Sequence, residues 1–430
     1  MAKVRNIFLV LVALLGICSC ERDGMDLYFS VGPYGDGPEK SRKVMLLYEA
    51  GFNNLSDDID LNLKALYKGY LPGKGRNDDV LLVFSHLTNL PRMDYTENTS
   101  PVMVRLYAER GKPKADTLKV WPAGTPIAHA EMVTEVFGWV KENFPAASYG
   151  AVMSSHATGW LPKGYYSNPS SCPGETDRSG YISFSRQRRT FGQEYYSPSK
   201  QSEEIEIKDL AAAIPYKLDY LLFDACLMAT VEVAWELRNV CSYLAVSPCE
   251  IPAAGFDYET LASHLLKPET PDLRAVCQDY FARYEHDSTY GATITMVDSG
   301  SLDILASTCR TLFDRYRSGI LNLNGENVQV YDRKMSGKYY YAFFDLKDML
   351  REAGATEEDL ALLQEALDRA LVYEAHTARF IDVKLDRCCG LASYLPAFPD
   401  YRKDTWHGTR FLDGFYKSNV SWNDATGLVE

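Results

Sequence analysis

Short continuous apolar runs alternate with segments of helical period along most of this chain. Lys43-Val-Met-Leu-Leu-Tyr48 and Asp79-Val-Leu-Leu-Val-Phe84 lack the in-out alternation of half-exposed strands, so they read as strands buried on both faces. Between them, Asn53-Asn54-Leu55-Ser56 leads into a helix over 57–68. Two weaker strands, 102–107 and 117–121, predict a hairpin insertion, and a helical pattern over 128–143 returns the chain to a third buried run, Tyr149-Gly-Ala-Val-Met-Ser-Ser-His156. A fourth run, Asp219-Tyr-Leu-Leu-Phe-Asp224-Ala-Cys226, precedes a helix over 229–238 and a strand over 243–247. Beyond it, helices over 275–284 and 302–316 flank a strand over 292–297, and the pattern predicts a helix over 357–377 and a late strand over 390–396. Strands alternating with helices in this way predict an α/β chain, with helices on both faces of a mostly parallel sheet.

In the third and fourth runs the strand stops at a reactive side chain. That places His156 and Cys226 at neighbouring strand ends, the edge where open α/β sheets carry their sites. A lone cysteine is most often a buried space-filler, and a lone histidine most often a hydrogen-bonded structural residue; the pairing is what points to chemistry. A thiol of ordinary pKa, ~8.5, is only slightly ionised at neutral pH, so a nucleophilic Cys226 needs a base or positive surroundings. His156 supplies the base, and the N-terminus of the helix expected directly after Cys226 supplies the second influence. The remaining histidines show no H-E-x-x-H or similar metal spacing, and no G-x-S-x-G elbow is present. The acidic stretch Glu203-Glu204-Ile-Glu206 reads as a solvated helix start.

At the N-terminus, Lys3 and Arg5 precede an apolar stretch from Ile7 to Ile17 that is too short to span a bilayer and suits a secretory leader. Ile17-Cys18-Ser19-Cys20 resembles a bacterial lipobox, which implies that Cys20 becomes the lipidated first residue of an exported lipoprotein of the cell envelope, at the outer membrane or cell surface. The alternative is an ordinary secretory signal cut near the same place. The expected organisation is a leader over 1–19, a Gly, Pro and Asp-rich tether over 20–40, a core over 41–300, and an α+β subdomain over 301–430 packed on that core. With 430 residues, 46% of them apolar, the chain can bury a large core. The net charge of −13 and the lack of a basic stripe exclude nucleic acid as an expected partner. Cysteines at 172, 226, 241, 249, 277, 309, 388 and 389 form no C-x-x-C pair, and a chain of this length has no need of disulfide staples, so most are expected to be buried thiols.

The ordered set Leu46-Leu-Tyr-Glu-Ala-Gly-Phe-Asn53-Asn54-Leu55, Ser155-His156-Ala-Thr-Gly159-Trp160, Phe223-Asp224-Ala225-Cys226-Leu-Met-Ala229 and Gly255-Phe256-Asp257-Tyr258 resembles the clostripain family of cysteine peptidases, with weaker similarity in Gly390-Leu-Ala-Ser-Tyr-Leu-Pro396. The resemblance implies a caspase-like α/β/α sandwich and a Cys226/His156 dyad acting on protein or peptide substrates. It also implies cleavage after Arg or Lys, with Asp224 and Asp257 in or beside the pocket; the alternative for both carboxylates is capping or bracing a loop. Where relatives carry Gly after the histidine this chain has Ala157, whose amide still offers an oxyanion donor beside that of Cys226. Self-cleavage is expected at Arg186, Arg188 or Arg189, between the dyad residues; an inert basic turn is the alternative. No cofactor is predicted; some relatives use calcium, but no D-x-D-x-D-G loop is present. The competing reading is a catalytically inactive cell-surface lipoprotein that captures peptides on the same scaffold.

Overall fold

The computed structural model describes residues 39–89, 99–162, 190–194, 203–323, 325–333, 342–396 and 409–430. Cys20, the leader, most of the tether, Cys172 and the Arg186, Arg188 and Arg189 cluster lie outside the described residues.

The principal strands are β1 (Glu39–Gly51), β2 (Val80–Leu87), β3 (Val102–Glu109), β4 (Lys112–Val120), β5 (Ala146–Ser154), β6 (Phe191–Glu194), β7 (Glu203–Ile205), β8 (Leu218–Asp224), β9 (Cys241–Val246), β10 (Thr293–Asp298), β11 (Phe344–Asp345) and β12 (Leu371–His376). Nine of them form one sheet in the order β12-β10-β9-β8-β5-β1-β2-β3-β4. The middle five, β9, β8, β5, β1 and β2, run parallel; β3 and β4 extend one side antiparallel, and β10 and β12 the other. The expected hairpin is therefore not an insertion beside the sheet but its outer pair of strands.

Continuous apolar runs are explained by burial on both faces. Along β1, Val44, Leu46 and Tyr48 enter one core, while Met45 and Leu47 enter the other. The first core holds the helices Ala130–Asn143, Val231–Leu237 and Leu302–Leu321, and the second holds Tyr258–Leu266 and Leu273–Tyr284. This is the caspase-like α/β/α sandwich.

Two local expectations fail for identifiable reasons. The helix expected over 357–377 ends at Ala370, and Leu371–His376 becomes β12, paired antiparallel with β10. Its Leu-Val-Tyr-Glu-Ala-His sequence has strand-forming residues where the sheet offers an open edge, and tertiary pairing overrides the helical period. Glu203–Ile205 is not a helix start but β7, antiparallel to β6, with Glu204 and Ile205 buried. After residue 300 the chain thus gives the central sheet its last strand, while Trp422, near the C-terminus, packs edge-on against Trp235 at 5.6 Å.

Candidate active site

Register sets the site. Ser154, the last residue of β5, is paired with Asp224, the last of β8, and each reactive residue follows two positions later. His156 and Cys226 therefore leave the same edge of the sheet on adjacent parallel strands.

Cys226 heads a turn rather than a helix. Leu227 has φ 60°, a left-handed backbone that costs a non-glycine residue ~1–2 kcal/mol. Its burial and the donation of its amide to the Cys249 carbonyl at 3.0 Å hold it there. Ala229 then donates to Ser247 O at 3.0 Å, so the loop follows the exit of β9. The helix starts only at Val231, with the Thr230 hydroxyl capping the Val233 amide at 3.1 Å. The expected helix over 229–238 is thus shorter, and its N-terminus does not directly follow the thiol. Cys226 is partly exposed, its Sγ 4.0 Å from Ile251 O.

His156 Nε2 lies 2.8 Å from Asn54 Oδ1. With the amide oxygen as acceptor, the ring proton sits on Nε2 and Nδ1 is the nitrogen able to take a proton. Asn54 reaches the ring because Asn53 fixes the turn after β1. The buried Asn53 Nδ2 donates to Gln193 O at 2.7 Å and Ala50 O at 3.0 Å, while its Oδ1 accepts from the Leu55 amide at 2.8 Å.

The histidine loop is clamped from behind by β6. Gly192 N donates to His156 O, and Thr158 N to Thr190 O, both at 3.0 Å. Ala157 and Phe191 face one another between these bonds, so the Ala157 amide is not consumed by the pairing. Glu194 anchors β6 in turn: its Oε1 is 2.6 Å from His86 Nδ1, and its Oε2 accepts from the amides of Ile127 at 2.6 Å and Ala128 at 2.8 Å. Both side chains are fully buried, and Phe52 stacks on the His86 ring with centroids 4.5 Å apart. Across the site the histidine and cysteine loops meet main chain to main chain. Gly159, with φ 58°, lies so close that a Cβ there would sit 2.5 Å from Leu227 O.

Asp224 and Asp257 come to one corner of this edge. Asp224 Oδ2 accepts from Tyr258 Oη at 2.7 Å, and Tyr258 Oη is also 3.0 Å from Ser154 Oγ. Burial pushes the Asp224 carboxyl up to about 6, against the opposing pull of the Tyr258 hydroxyl, the Arg283 charge and the Phe256 amide. The loop that covers it needs a glycine, since a Cβ on Gly255, at φ 58°, would lie 2.3 Å from Asp224 Oδ2. Asp257 caps the helix Tyr258–Leu266, its Oδ1 accepting from Glu259 N at 3.1 Å, so the bracing role is present in its geometry. Sequence reasoning missed Asn54, whose signal was the Asn-Asn pair ending the first strand, and Tyr258, beside Asp257 in a segment already singled out.

Cys241, Cys249, Cys277 and Cys309 are buried, and burial pushes their thiols up, that of Cys241 to about 12. Among the described residues no group of His, Cys, Asp or Glu is arranged to hold a metal ion.

The Clostripain family profile matches residues 127–423, well over half of the chain. The chain belongs to the clostripain family. It is a cysteine peptidase, and its substrates are proteins or peptides. Among solved structures, this clostripain-family chain is similar to an inactive zymogen C11 protease from Parabacteroides distasonis, 26% identical with a TM-score of 0.71 over 90% of this chain and 99% of that one. A secreted C11 cysteine protease from Bacteroides thetaiotaomicron, in complex with an irreversible peptide inhibitor, is 23% identical with a TM-score of 0.68 over 90% and 99% of the two chains. The second of these likenesses is one of fold. No curated protein matches the chain.

Proposed function

We propose that the chain is an endopeptidase that cuts after Arg or Lys, with Cys226 as nucleophile and His156 as proton carrier. The observation that supports it most is the Ser154 to Asp224 register, which sends both residues off one edge of the sheet. Cys226 gives its proton to His156 and its sulfur attacks the peptide carbonyl. The oxyanion is met by the amides of Ala157 and Cys226, and His156 returns the proton to the leaving amine. Water, activated by the same imidazole, then hydrolyses the thioester. Asn54 holds the ring by Nε2, so its role is that of a positioning residue. Asn54→Ala is expected to lower kcat about tenfold, the worth of one lost hydrogen bond, with KM nearly unchanged. Steady-state kinetics that leave kcat at the wild-type level would remove that role.

Asp224 and Asp257 offer carboxylates to a basic side chain, which a guanidinium can engage through two parallel hydrogen bonds. Arg substrates should then exceed citrulline isosteres in kcat/KM, and Asp224→Asn should narrow that margin by between about 10- and 100-fold, since hydrogen bonds to charged groups contribute ~1.5–3 kcal/mol. The margin should also shrink as the pH falls through about 6, where Asp224 takes up a proton. Comparing two substrates in ratio removes any pH dependence common to both. A margin that stays constant from about pH 5 to about pH 8 would sink the assignment of Asp224. We further propose export with lipid anchoring through Cys20 at the cell envelope, and maturation by cleavage at Arg186, Arg188 or Arg189. The secreted relative supports export, and the relative described as a zymogen supports maturation.

A further inference from the structure

Beneath the Asp224 corner lies an acid that the mechanism does not use. Glu49, two residues before the end of β1, is paired with Ser154 of β5, which is itself paired with Asp224 of β8. The three side chains stand in a row on one face of the sheet, the face that carries Leu47, Val152 and Leu222 into the second core. Glu49 is 1% exposed; its carboxyl oxygens make no fully formed hydrogen bond among the described residues, and the Ser154 hydroxyl is the polar side chain that bears on them. No cation pairs with it there. A carboxyl in such a place holds its proton: burial pushes Glu49 up to about 8, the Asp224 charge adds to the rise, and nearby Ser154 offsets part of it.

We propose that Glu49 is a positioning residue of the specificity pocket, setting through Ser154 and Tyr258 the orientation in which Asp224 meets a basic side chain of the substrate. The inference rests on the reading of Asp224 as a pocket residue. The direction of the hydrogen bonds is what makes Glu49 matter. Tyr258 donates to Asp224 at 2.7 Å, so its oxygen is left as an acceptor, and Ser154 at 3.0 Å is the hydroxyl able to donate to it. Ser154 is then left as the acceptor for a proton on Glu49. A neutral Glu49 lets both hydroxyls point toward Asp224 and keeps Asp224 the one anion of this buried row. An ionised Glu49 would instead draw the Ser154 proton to itself and place a second anion beside the first.

The test is steady-state kinetics on matched Arg and citrulline substrates with wild type, Glu49→Leu, Glu49→Gln and Ser154→Ala. The expected result is a KM for the Arg substrate roughly tenfold higher in Glu49→Leu and Ser154→Ala, as for one lost hydrogen bond, with kcat and the citrulline substrate changed less than about twofold. Glu49→Gln, whose amide N–H can donate as the carboxylic acid does, should restore the wild-type KM. A uniform loss on both substrates, or a Glu49→Gln as poor as Glu49→Leu, would indicate a purely structural role and overturn the inference. Should Glu49→Leu fail to fold, an unchanged KM in Ser154→Ala overturns it equally. If wild type itself shows no margin for Arg over citrulline, the pocket reading falls first and this inference with it; a wild-type margin that survives every variant overturns the inference alone.

Discussion

Cys226→Ala protein is expected to fold as wild type does and to lose at least about 10⁴-fold in peptide turnover, the scale seen when a covalent nucleophile is removed. The packing argument for a preserved fold is that the thiol's contact with Ile251 O, at 4.0 Å, is a weak one, while the neighbours that shape the turn, Ala225 and Leu227, are untouched. The cost should stay below about 2 kcal/mol. The other described thiols are poor substitutes: Cys241, Cys249, Cys277 and Cys309 are buried, Cys388 and Cys389 are partly exposed, and desolvation pushes all six thiols up. Urea melts and fluorogenic peptide assays on both proteins check the two halves. The same preparation bears on maturation, because intact-mass spectra should show a single chain for Cys226→Ala and a cut after Arg186, Arg188 or Arg189 for wild type. Normal turnover by a well-folded variant would end the dyad assignment, whereas inactivity of wild type and variant alike would favour the peptide-capturing reading.

The second large effect falls on stability. Glu194→Ala should cost about 3–5 kcal/mol, since each buried donor left without its acceptor costs ~1–3 kcal/mol. Three groups lose their acceptor together: His86 Nδ1 and the amides of Ile127 and Ala128, all sealed from water. Because Glu194 holds β6 and β6 holds the carbonyl of His156, activity should fall well below the unfolding midpoint, as the histidine loop loosens before the sheet does. Glu194→Gln keeps an acceptor for the amides and should lose much less. Denaturant unfolding decides it: a Glu194→Ala melt within about 1 kcal/mol of wild type would contradict the clamp.

Much of this was legible from apolar runs. The five parallel strands appear in the sequence as unbroken hydrophobic stretches because both faces of the sheet are covered, and the two that end at His156 and Cys226 are adjacent in register. What the sequence hid was decided by partners far along the chain. Leu371–His376 continues a helical period until the open edge of β10 captures it. Glu203–Ile205 looks like an exposed acidic helix start until pairing with β6 buries Glu204. The turn after Cys226 is dictated by the exit of β9, so a helix that begins by propensity near 229 waits until Val231. Glu49 reads as the polar stop of an apolar run; only the alignment of β1, β5 and β8 shows that it stands in line with Ser154 and Asp224.

The contact between Gly159 and Leu227 bears on how mutation can reach this enzyme. Where two loops touch through side chains, their spacing drifts whenever one of those side chains is exchanged. Here the separation of base and nucleophile is gauged by peptide groups, whose dimensions no substitution changes, and by two residues in left-handed backbone, φ 58° and 60°. Drift at most surrounding positions should therefore retune what the cleft accepts while leaving the reacting atoms in step, and position 159 stands out as the place where a single methyl group would wedge them apart.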